Sequence, residues 1–333
     1  MSKPINIALL ALTLIYNGYI FAQDESRKST DHPKIGLVLS GGGAKGIAHI
    51  GILKALEKEG LRPDFITGTS MGSIIGGLYS LGYTANQLDS IIRSVNWDMV
   101  LSNNVPLNLI AYEEKEYYNR YLFDFPFEDG KLKLPSGLIE GQALSELLQR
   151  FTWPANKYDS FDDFPIPFRC VATDVSTGQP IVFDSGSLAK AIRSSMAIPT
   201  AFTAVDLDNT MVVDGGVVDN FPVDIARQMG ADFIIGVNVG DGLKPAKELS
   251  GMSDILFQVS MIPSLIKTDD QISQCNIYIK PDLKDNGTAS FSNYSEILQL
   301  GDTAGERVRP EFKILAEKLN RRGFNLKPLN IKR

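Results

Sequence analysis

The sequence predicts an α/β fold with a mainly parallel sheet and helices on its faces. Three observations predict it: short apolar strands alternate with helical segments, a glycine-containing turn follows each of the first two strands, and the alternation resumes after residue 165. Strands that alternate with helices pair in parallel, because each helix returns the chain to the same edge of the sheet. The chain has 333 residues, 44% of them apolar, which is enough for one large domain or two small ones.

The first half of the chain contains two strand–turn–helix units and a capped helix. The strand KIGLVLS precedes the turn GGGAKG and the segment IAHIGILKALEKEG, where apolar residues recur with helical spacing from Ile47 to Leu56. The strand DFITG then leads into a serine-containing turn and the apolar helix SIIGGLYSLGY. Thr84 is expected to cap the next helix, ANQLDSIIRSV.

The second half repeats this alternation. It predicts strands in PFRCVATDV, QPIVFD, TMVVDGG and ADFIIGVNVG, and helices in SLAKAIRSSM, PVDIARQMG and PEFKILAEKLNRRG. Between the halves, residues 97–140 are rich in aromatic side chains: Tyr112, Tyr117, Tyr118, Tyr121, Phe123, Phe125 and Phe127. That segment is either a lid or lipid-facing rim, or an ordinary cover over the sheet. We favour the cover, because exposed apolar patches are rare.

The N-terminus is typical of a secretory signal peptide. Lys3 precedes an apolar stretch that ends on the small residue Ala22, and a polar segment follows. Asn17 and Gly18 interrupt the stretch, which disfavours a permanent transmembrane helix, and an uncleaved anchor is the alternative. The sequence therefore predicts a signal peptide over residues 1–22, a linker over residues 23–33 and an exported protein that is periplasmic, outer-membrane-associated or secreted.

Charge and cysteine content argue against some classes of protein. The formal net charge of −6 disfavours nucleic acid as the main partner, and the basic run NRRGFNLKPLNIKR is interpreted as a solvated tail. The sequence has no Cys/His cluster with zinc spacing. Cys170 and Cys275 could pair in an exported protein or remain as buried thiols, and both interpretations stay open.

The segment GGGAKG has two interpretations, because Gly41, Gly43 and Gly46 have the spacing G-x-G-x-x-G. A dinucleotide site would need an acidic residue at the end of the next strand, but Asp64 begins that strand. The other interpretation is an oxyanion hole, in which backbone N–H groups at a helix start stabilise the transition state of acyl transfer by about 3–4 kcal/mol per donor. We favour the oxyanion hole.

A Gly-x-Ser-x-Gly pattern, formed by Gly68, Thr69, Ser70, Met71 and Gly72, lies between an apolar strand and a helix. In hydrolases such a turn presents a nucleophilic serine, and the dipole of the following helix favours an alkoxide. The alternative is a serine helix cap between two packing glycines. Because this turn and the glycine loop follow consecutive strands, we expect both at the same edge of the sheet and favour a catalytic Ser70.

The proton acceptor for Ser70 is unusual, because the two histidines, His32 and His49, both precede it. We expect a packing or solvent role for His49, which lies on a helix face, and His32 lies in the linker. The base is then a carboxylate or a lysine, and a carboxylate can act when it is desolvated and bonded to the hydroxyl. The candidates at strand ends are Asp174, Asp184 and Asp214. We favour Asp214, since the two glycines after it clear space beside the carboxylate, whereas Asp174 is typical of an Asx turn.

Together, GGGAKG, GTSMG and DGG resemble the motifs of the patatin-like phospholipase family, in the family's order and over about residues 34–240. RSSMAIPTAF is similar to the segment that the family places before its aspartate strand, and the bacterial members look closest. The resemblance implies a three-layer α/β/α sandwich around a mainly parallel sheet. Residues 34–240 would form the catalytic core, and residues 241–333 an extension packed on the same domain.

The resemblance also implies a role for each motif position. Ser70 would be the nucleophile and Asp214 the proton acceptor, without a metal ion or another cofactor. Lys45 stands where many members have arginine, which keeps the charge but loses planar bidentate binding and so disfavours a phosphate-binding role. The oxyanion hole would be Gly41, Gly42, Gly43 and Ala44. The remaining motif positions are Gly46, Gly68, Thr69, Met71, Gly72, Gly215 and Gly216.

The sequence thus predicts an exported serine lipid acyl hydrolase that acts through an acyl-enzyme. Its expected partners are a phospholipid or another acyl-ester lipid and a membrane surface. The alternatives are a nucleotide-binding oxidoreductase that uses the glycine loop and a non-catalytic lipid-binding module.

Overall fold

The computed structural model describes residues 33–102, 111–113, 115, 127–128, 131–132, 137–207, 210–249 and 251–321. Within these residues, the strands form one main sheet and two small pairs. The main sheet contains β1 (Ile35–Leu39), β2 (Phe65–Thr69), β6 (Phe168–Asp174), β7 (Pro180–Phe183), β9 (Val205–Leu207), β10 (Thr210–Asp214), β11 (Phe233–Val237) and β12 (Ile277–Ile279). The pairs are β3 (Phe127–Glu128) with β4 (Lys131–Leu132) and β5 (Gly137–Ile139) with β8 (Thr200–Phe202).

The main sheet is mostly parallel, as predicted. Its strands are hydrogen-bonded along the path β12-β11-β1-β2-β6-β10-β9, in which β2 and β10 share one edge of β6, and β7 pairs with the opposite edge. The strands from β12 to β6 run parallel, whereas β7, β9 and β10 are each antiparallel to their neighbour. In the centre, Leu37 of β1 pairs with Ile66 on one side and with Ile235 on the other.

Helices cover this sheet. They are α1 (His49–Lys58), α2 (Met71–Ser80), α3 (Ala85–Ser94), α4 (Trp97–Val100), α5 (Gln142–Thr152), α6 (Leu188–Ser195), α7 (Val223–Gln228), α8 (Met252–Ile272) and α9 (Tyr294–Arg321). The predicted cap on α3 is confirmed: Thr84 accepts from the Gln87 N–H, and the Gln87 side chain accepts from the Thr84 N–H. No helix within the described ranges combines the length and apolar character needed to cross a membrane.

The two faces of the sheet bury two cores, because side chains alternate along each strand. Leu37 and Leu39 of β1 point into the larger core, which lies under α1, α2, α3 and α9. Val38 points into the smaller core on the other face. There it packs with residues from α7 and its neighbours: Phe221, Val223, Ala226, Ala231 and Ile234. Helices on both faces give the expected three-layer arrangement.

Several elements differ from the prediction. The segment after the glycine loop begins as a 3₁₀ turn (Gly43–Ala48), and α1 starts only at His49. The last helix begins at Tyr294 and includes Pro310, where the sequence pattern predicted a start. Helices α5 and α8 and strand β12 were not predicted. Helix α8 even continues through Pro263, because packing against the rest of the unit overrides local preference.

Some predictions fall outside the described residues. These include the signal peptide, all but the end of the linker, and the C-terminal tail after residue 321. The aromatic positions Tyr117, Tyr118, Tyr121, Phe123 and Phe125 also lie outside them. Tyr112 is described and exposed. Both cysteines are free thiols, with Cys170 buried in β6 and Cys275 partly buried. The described residues from Lys34 onward form one compact unit by their contacts.

Helix α9 packs against α1 at a crossing that only glycine permits. A Cβ atom on Gly51 would lie 2.0 Å from the carbonyl carbon of Gly301, and one on Gly301 would lie 2.5 Å from the carbonyl oxygen of Ala48. Real Cβ atoms do not approach backbone so closely. The crossing therefore holds α9 firmly against α1. This matters for the site because α1 comes soon after the glycine loop in the chain.

We expect Gly51→Ala to destabilise the fold by about 1–3 kcal/mol, since the added methyl group must push the two helices apart. Chemical denaturation measured by circular dichroism would give the change in free energy of unfolding. Gly242→Ala is the matched control, because a Cβ atom there meets nothing within 4 Å. Equal stability of the two variants would contradict the close crossing.

Candidate active site

Two strand ends meet along one edge of β6, and the residues that follow them form the candidate site. Thr69, the last residue of β2, pairs with Val171, and Asp214, the last residue of β10, pairs with Ala172. Because β7 occupies the opposite edge of β6, β2 and the antiparallel β10 lie on the same edge and run toward each other. The Ser70 hydroxyl consequently lies near the Asp214 carboxylate, close enough to lower its pKa.

Ser70 occupies a strained turn between β2 and α2. Its φ of 53° is in the left-handed region, which non-glycine residues rarely adopt. A Cβ atom on Gly68 would lie 2.5 Å from the carbonyl oxygen of Gly72, and one on Gly72 would lie 2.2 Å from that of Leu39. Both glycines are therefore required for the helix to start so close to the sheet. The Ser70 N–H donates to the Ser195 hydroxyl at 3.0 Å, which holds the turn in place.

Asp214 is a buried carboxylate with few polar neighbours. The Gly216 N–H donates to its Oδ1 at 2.7 Å. Burial raises the pKa of Asp214 to about 6, and the hydrogen bonds from Gly216 and from the Ser70 hydroxyl oppose this rise. Gly215 allows the turn to lie against β6, because a Cβ atom there would come within 2.2 Å of the Val171 carbonyl oxygen. A carboxylate with this pKa is a stronger base than an exposed one, whose pKa is about 4.

The glycine loop lies beside the serine turn, as expected for loops that follow consecutive parallel strands. A Cβ atom on Gly41 would lie 3.0 Å from the Ser70 Cβ. A Cβ atom on Gly46 would lie 2.3 Å from the Cγ of Met71. The two motifs are thus in direct contact, and side chains at either glycine would push them apart.

The four predicted oxyanion donors are not equivalent. The N–H groups of Gly41 and Ala44 donate to backbone carbonyl oxygens at 3.2 and 2.9 Å. Within the described part of the chain, the N–H groups of Gly42 and Gly43 have no acceptor. Of the four predicted donors, Gly42 and Gly43 therefore remain available to a ligand, whereas Gly41 and Ala44 anchor the loop.

His49 fixes the start of the glycine loop. The residue is fully buried, and its Nε2 lies 2.9 Å from the carbonyl oxygen of Ser40. Burial lowers the pKa of His49 to about 4, so the ring is neutral and donates its single proton to that carbonyl. The Ser40 hydroxyl in turn accepts from the Val239 N–H at 2.8 Å. Of the two roles expected for this histidine, packing or solvent exposure, the structure shows packing.

Lys45 is buried and forms an ion pair with an exposed aspartate. Its side chain is 2% exposed, and its ammonium group pairs with Asp241. Burial lowers the pKa of Lys45, although the hydrogen bond and the charge of Asp241 oppose the change. The pair ties the glycine loop to the segment after β11.

Asn220 connects the two halves of the site, and the sequence pattern did not single it out. Its carbonyl oxygen accepts from the Gly41 N–H at 3.2 Å, and its Nδ2 donates to the Gly41 carbonyl at 3.3 Å. A Cβ atom on Gly216 would lie 2.9 Å from the Asn220 Oδ1. The side chain therefore lies between the glycine loop and the turn that carries Asp214.

A second buried carboxylate lies next to the strand that leads to Ser70, and the sequence pattern did not assign it a role. Asp219 is fully buried and accepts from the Lys267 ammonium group at 2.6 Å, while Asp224 pairs with the same ammonium at 2.9 Å. The backbone carbonyl of Asp219 accepts from the Thr69 hydroxyl at 2.8 Å. Burial raises the pKa of Asp219, and Lys267 lowers it. The Asp219 carboxylate is therefore the ion-pair partner of Lys267, next to the strand that leads to Ser70.

The other acidic candidates lie away from Ser70. Asp64 accepts from the Ile35 N–H at 2.8 Å, which places it at the start of β1 and so at the edge opposite the glycine loop. A nucleotide on that loop would lack its ribose ligand. Asp174 forms the expected Asx turn, accepting from the Ser176 N–H, and Asp184 is exposed.

The family model described as "Patatin-like phospholipase" matches residues 37–227, more than half of the sequence. The chain belongs to the patatin-like phospholipase family.

Several known proteins are similar to it. "Lysophospholipase nte1" of Aspergillus fumigatus is 28% identical over 312 residues, which span 84% of this chain and 18% of the fungal protein. A "Patatin-like phospholipase domain-containing protein" of Caenorhabditis elegans is 29% identical over 296 residues, which span 80% of this chain and 20% of the nematode protein. The chain thus spans no more than a fifth of the length of these relatives. Among solved structures, VipD from Legionella pneumophila aligns with a TM-score of 0.49 and 15% identity, over 85% of this chain and 67% of VipD.

We expect Ser195→Ala to slow ester hydrolysis and to destabilise the fold by about 1–3 kcal/mol, because it leaves the buried Ser70 N–H without an acceptor. Ser73→Ala is the matched control. The Ser73 hydroxyl donates to the Ser70 carbonyl, which also accepts two backbone N–H groups and so stays paired without it. Turnover of a soluble ester and denaturant titrations would compare the two variants. A larger effect of Ser73→Ala on both would contradict a holding role for Ser195.

Proposed function

We propose that this protein is a lipid acyl hydrolase in which Ser70 and Asp214 form a catalytic dyad. The buried contact between their side chains is the observation that supports this most, since a carboxylate with a pKa of about 6 can accept a proton near neutral pH. Membership of the patatin-like phospholipase family supports the reaction class. The name lysophospholipase, carried by the fungal relative, supports a phospholipid or lysophospholipid as the substrate.

In the first half of the proposed reaction, the Ser70 hydroxyl oxygen attacks the ester carbonyl carbon and its proton passes to Asp214. The carbonyl oxygen becomes an oxyanion, for which Gly42 and Gly43 offer their free N–H groups. The N–H of Met71, at the start of α2, is a further donor at a position that such hydrolases use. When the carbonyl re-forms, the alcohol leaves with the proton from Asp214, and the acyl group remains on Ser70.

In the second half, a water molecule gives a proton to Asp214 and attacks the acyl-enzyme. The same oxyanion donors stabilise the second tetrahedral intermediate. Its collapse breaks the bond to the Ser70 oxygen, which takes the proton back from Asp214 and releases the fatty acid. The carboxylate thus performs both proton transfers that imidazole performs in other serine hydrolases.

Ser70→Ala and Asp214→Asn should each lower kcat for a soluble short-chain ester by roughly 10²–10⁴-fold, because one lacks the nucleophile and the other the base. A fluorophosphonate probe should label the wild type and fail to label Ser70→Ala. Asp174→Asn is the control, since that carboxylate is exposed and held in a turn. Wild-type turnover in either dyad variant would remove that residue from the mechanism. Lipid binding without turnover in any form would favour the non-catalytic module.

The rate should depend on pH through Asp214. The base must be deprotonated, and burial raises its pKa to about 6, so kcat/KM should fall as the pH drops below about 6 and level off above it. A pH profile on the soluble ester measures this. Asp219→Asn should keep the same midpoint, because Asp219 faces Lys267. A midpoint near the ordinary carboxylate value of about 4 would contradict a desolvated base.

We also propose that the protein is exported through residues 1–22. The basic start, the apolar stretch and the small residue Ala22 support this proposal. Mass spectrometry of the protein from its native cells should then give a mature N-terminus after Ala22. An intact N-terminus on all of the protein would contradict cleavage and favour the uncleaved anchor.

A further inference from the structure

Helix α8 exposes a continuous apolar face, which we call the α8 stripe. The six residues have the i, i+3, i+4, i+7 spacing of one helix face, so they project from one side of the helix over about 21 Å. Each is at least 38% exposed, and four exceed half. They are Met252, Ile255, Leu256, Val259, Ile262 and Ile266. Scattered apolar side chains are normal at a protein surface, but a regular stripe of this length indicates a binding surface.

The opposite side of α8 packs on the turn that carries Asp214. The Ser264 hydroxyl accepts from the Asn220 N–H at 2.8 Å, and the Lys267 ammonium group pairs with Asp219. The Met261 side chain would lie 3.3 Å from a Cβ atom on Gly216. Since a helix is only about 10 Å across, whatever covers the α8 stripe lies close to the candidate active site.

An exposed strap (residues 241–248) lies beside the stripe. The Gln258 side chain of α8 holds it by accepting from the Lys244 N–H at 2.8 Å and donating to the Lys244 carbonyl at 3.1 Å. Leu243 on this strap is 55% exposed and adds to the apolar surface.

The charges around the stripe are unevenly distributed. With Asp241 neutralised by Lys45, the strap and its neighbour Lys280 carry three cations against one anion. Those groups are Lys244, Lys247, Lys280 and Glu248. At the far end of α8, the exposed residues that continue the stripe are Asp269 and Asp270. An apolar face with a basic border at one end matches the layers of a lipid surface, where phosphates lie above acyl chains.

We infer that the α8 stripe and the strap dock on a phospholipid surface. The stripe would enter the acyl region, the lysines of the strap would meet phosphate groups, and Asp269 and Asp270 would stay on the aqueous side. This deepens the proposed function and rests on it, because docking brings the buried Ser70 and Asp214 to the layer that holds the ester bonds.

The docking test uses a fluorophore that brightens in an apolar environment, attached to Val259→Cys. Ile314→Cys is the matched control, since Ile314 is 53% exposed on α9, against 57% for Val259. Both variants carry Cys275→Ser to remove the accessible native thiol and Ser70→Ala to prevent hydrolysis. With mixed phosphatidylcholine–phosphatidylglycerol vesicles, we expect a several-fold rise in emission at position 259 and none at position 314.

This arm does not require turnover, so it remains informative if the proposed activity fails. The readout is also local, so binding through the N-terminal segment alone would not produce it. No rise at position 259, or equal rises at both positions, would overturn the inference. A rise that follows protein concentration without vesicles would also overturn it, since a second copy of the chain would then cover the stripe.

A second arm measures turnover in the protein with Ser70 intact. Leu256→Glu combined with Val259→Glu should lower hydrolysis of phospholipid in vesicles by about tenfold or more, while a soluble short-chain ester is hydrolysed at the wild-type rate. Ile314→Glu should leave both rates unchanged. Equal rates on vesicles for wild type and the stripe variant would contradict docking, whereas loss of both rates in the stripe variant would point to damage of the fold.

Discussion

The contact between Ser70 and Asp214 depends on two strands that run toward each other along one edge of β6. The parallel strand β2 ends beside Val171, and the antiparallel strand β10 ends beside Ala172. Because adjacent residues of one strand hold both ends, the distance between serine and carboxylate is set by backbone pairing and does not rely on a flexible loop. The other interactions of the site hold the backbone around these two residues in place.

These interactions share a common feature: in each of them a side chain forms a hydrogen bond with a backbone group of the site. Ser195 holds the Ser70 N–H, His49 holds the Ser40 carbonyl, and Asn220 pairs with Gly41. Each prevents the strained or glycine-rich backbone from relaxing. Two inner glycines of the loop consequently keep N–H groups available, while the outer positions are anchored.

Burial gives the site its basicity and also affects the stability of the fold. The raised pKa of Asp214 means that the unfolded state loses its proton first, so folding stability falls as the pH rises from about 4 to about 6. The lowered pKa of His49 acts in the opposite direction: its contribution is present above about 6.5 and is lost as the pH falls toward about 4. The two buried groups therefore offset each other over the same range.

The sequence by itself determined the fold class, the strand before each motif and the neighbouring positions of the glycine loop and the serine turn, because these follow from local patterns and the rule for parallel strands. It also favoured Asp214 over Asp174, since two glycines leave space beside a carboxylate. Only the tertiary structure decided which side chains hold the backbone, as with Asn220, and which loop N–H groups stay free. It also decided that α8 exists and that the apolar side chains of its stripe are exposed. These depend on contacts between residues far apart in the chain, which local propensity and spacing do not encode.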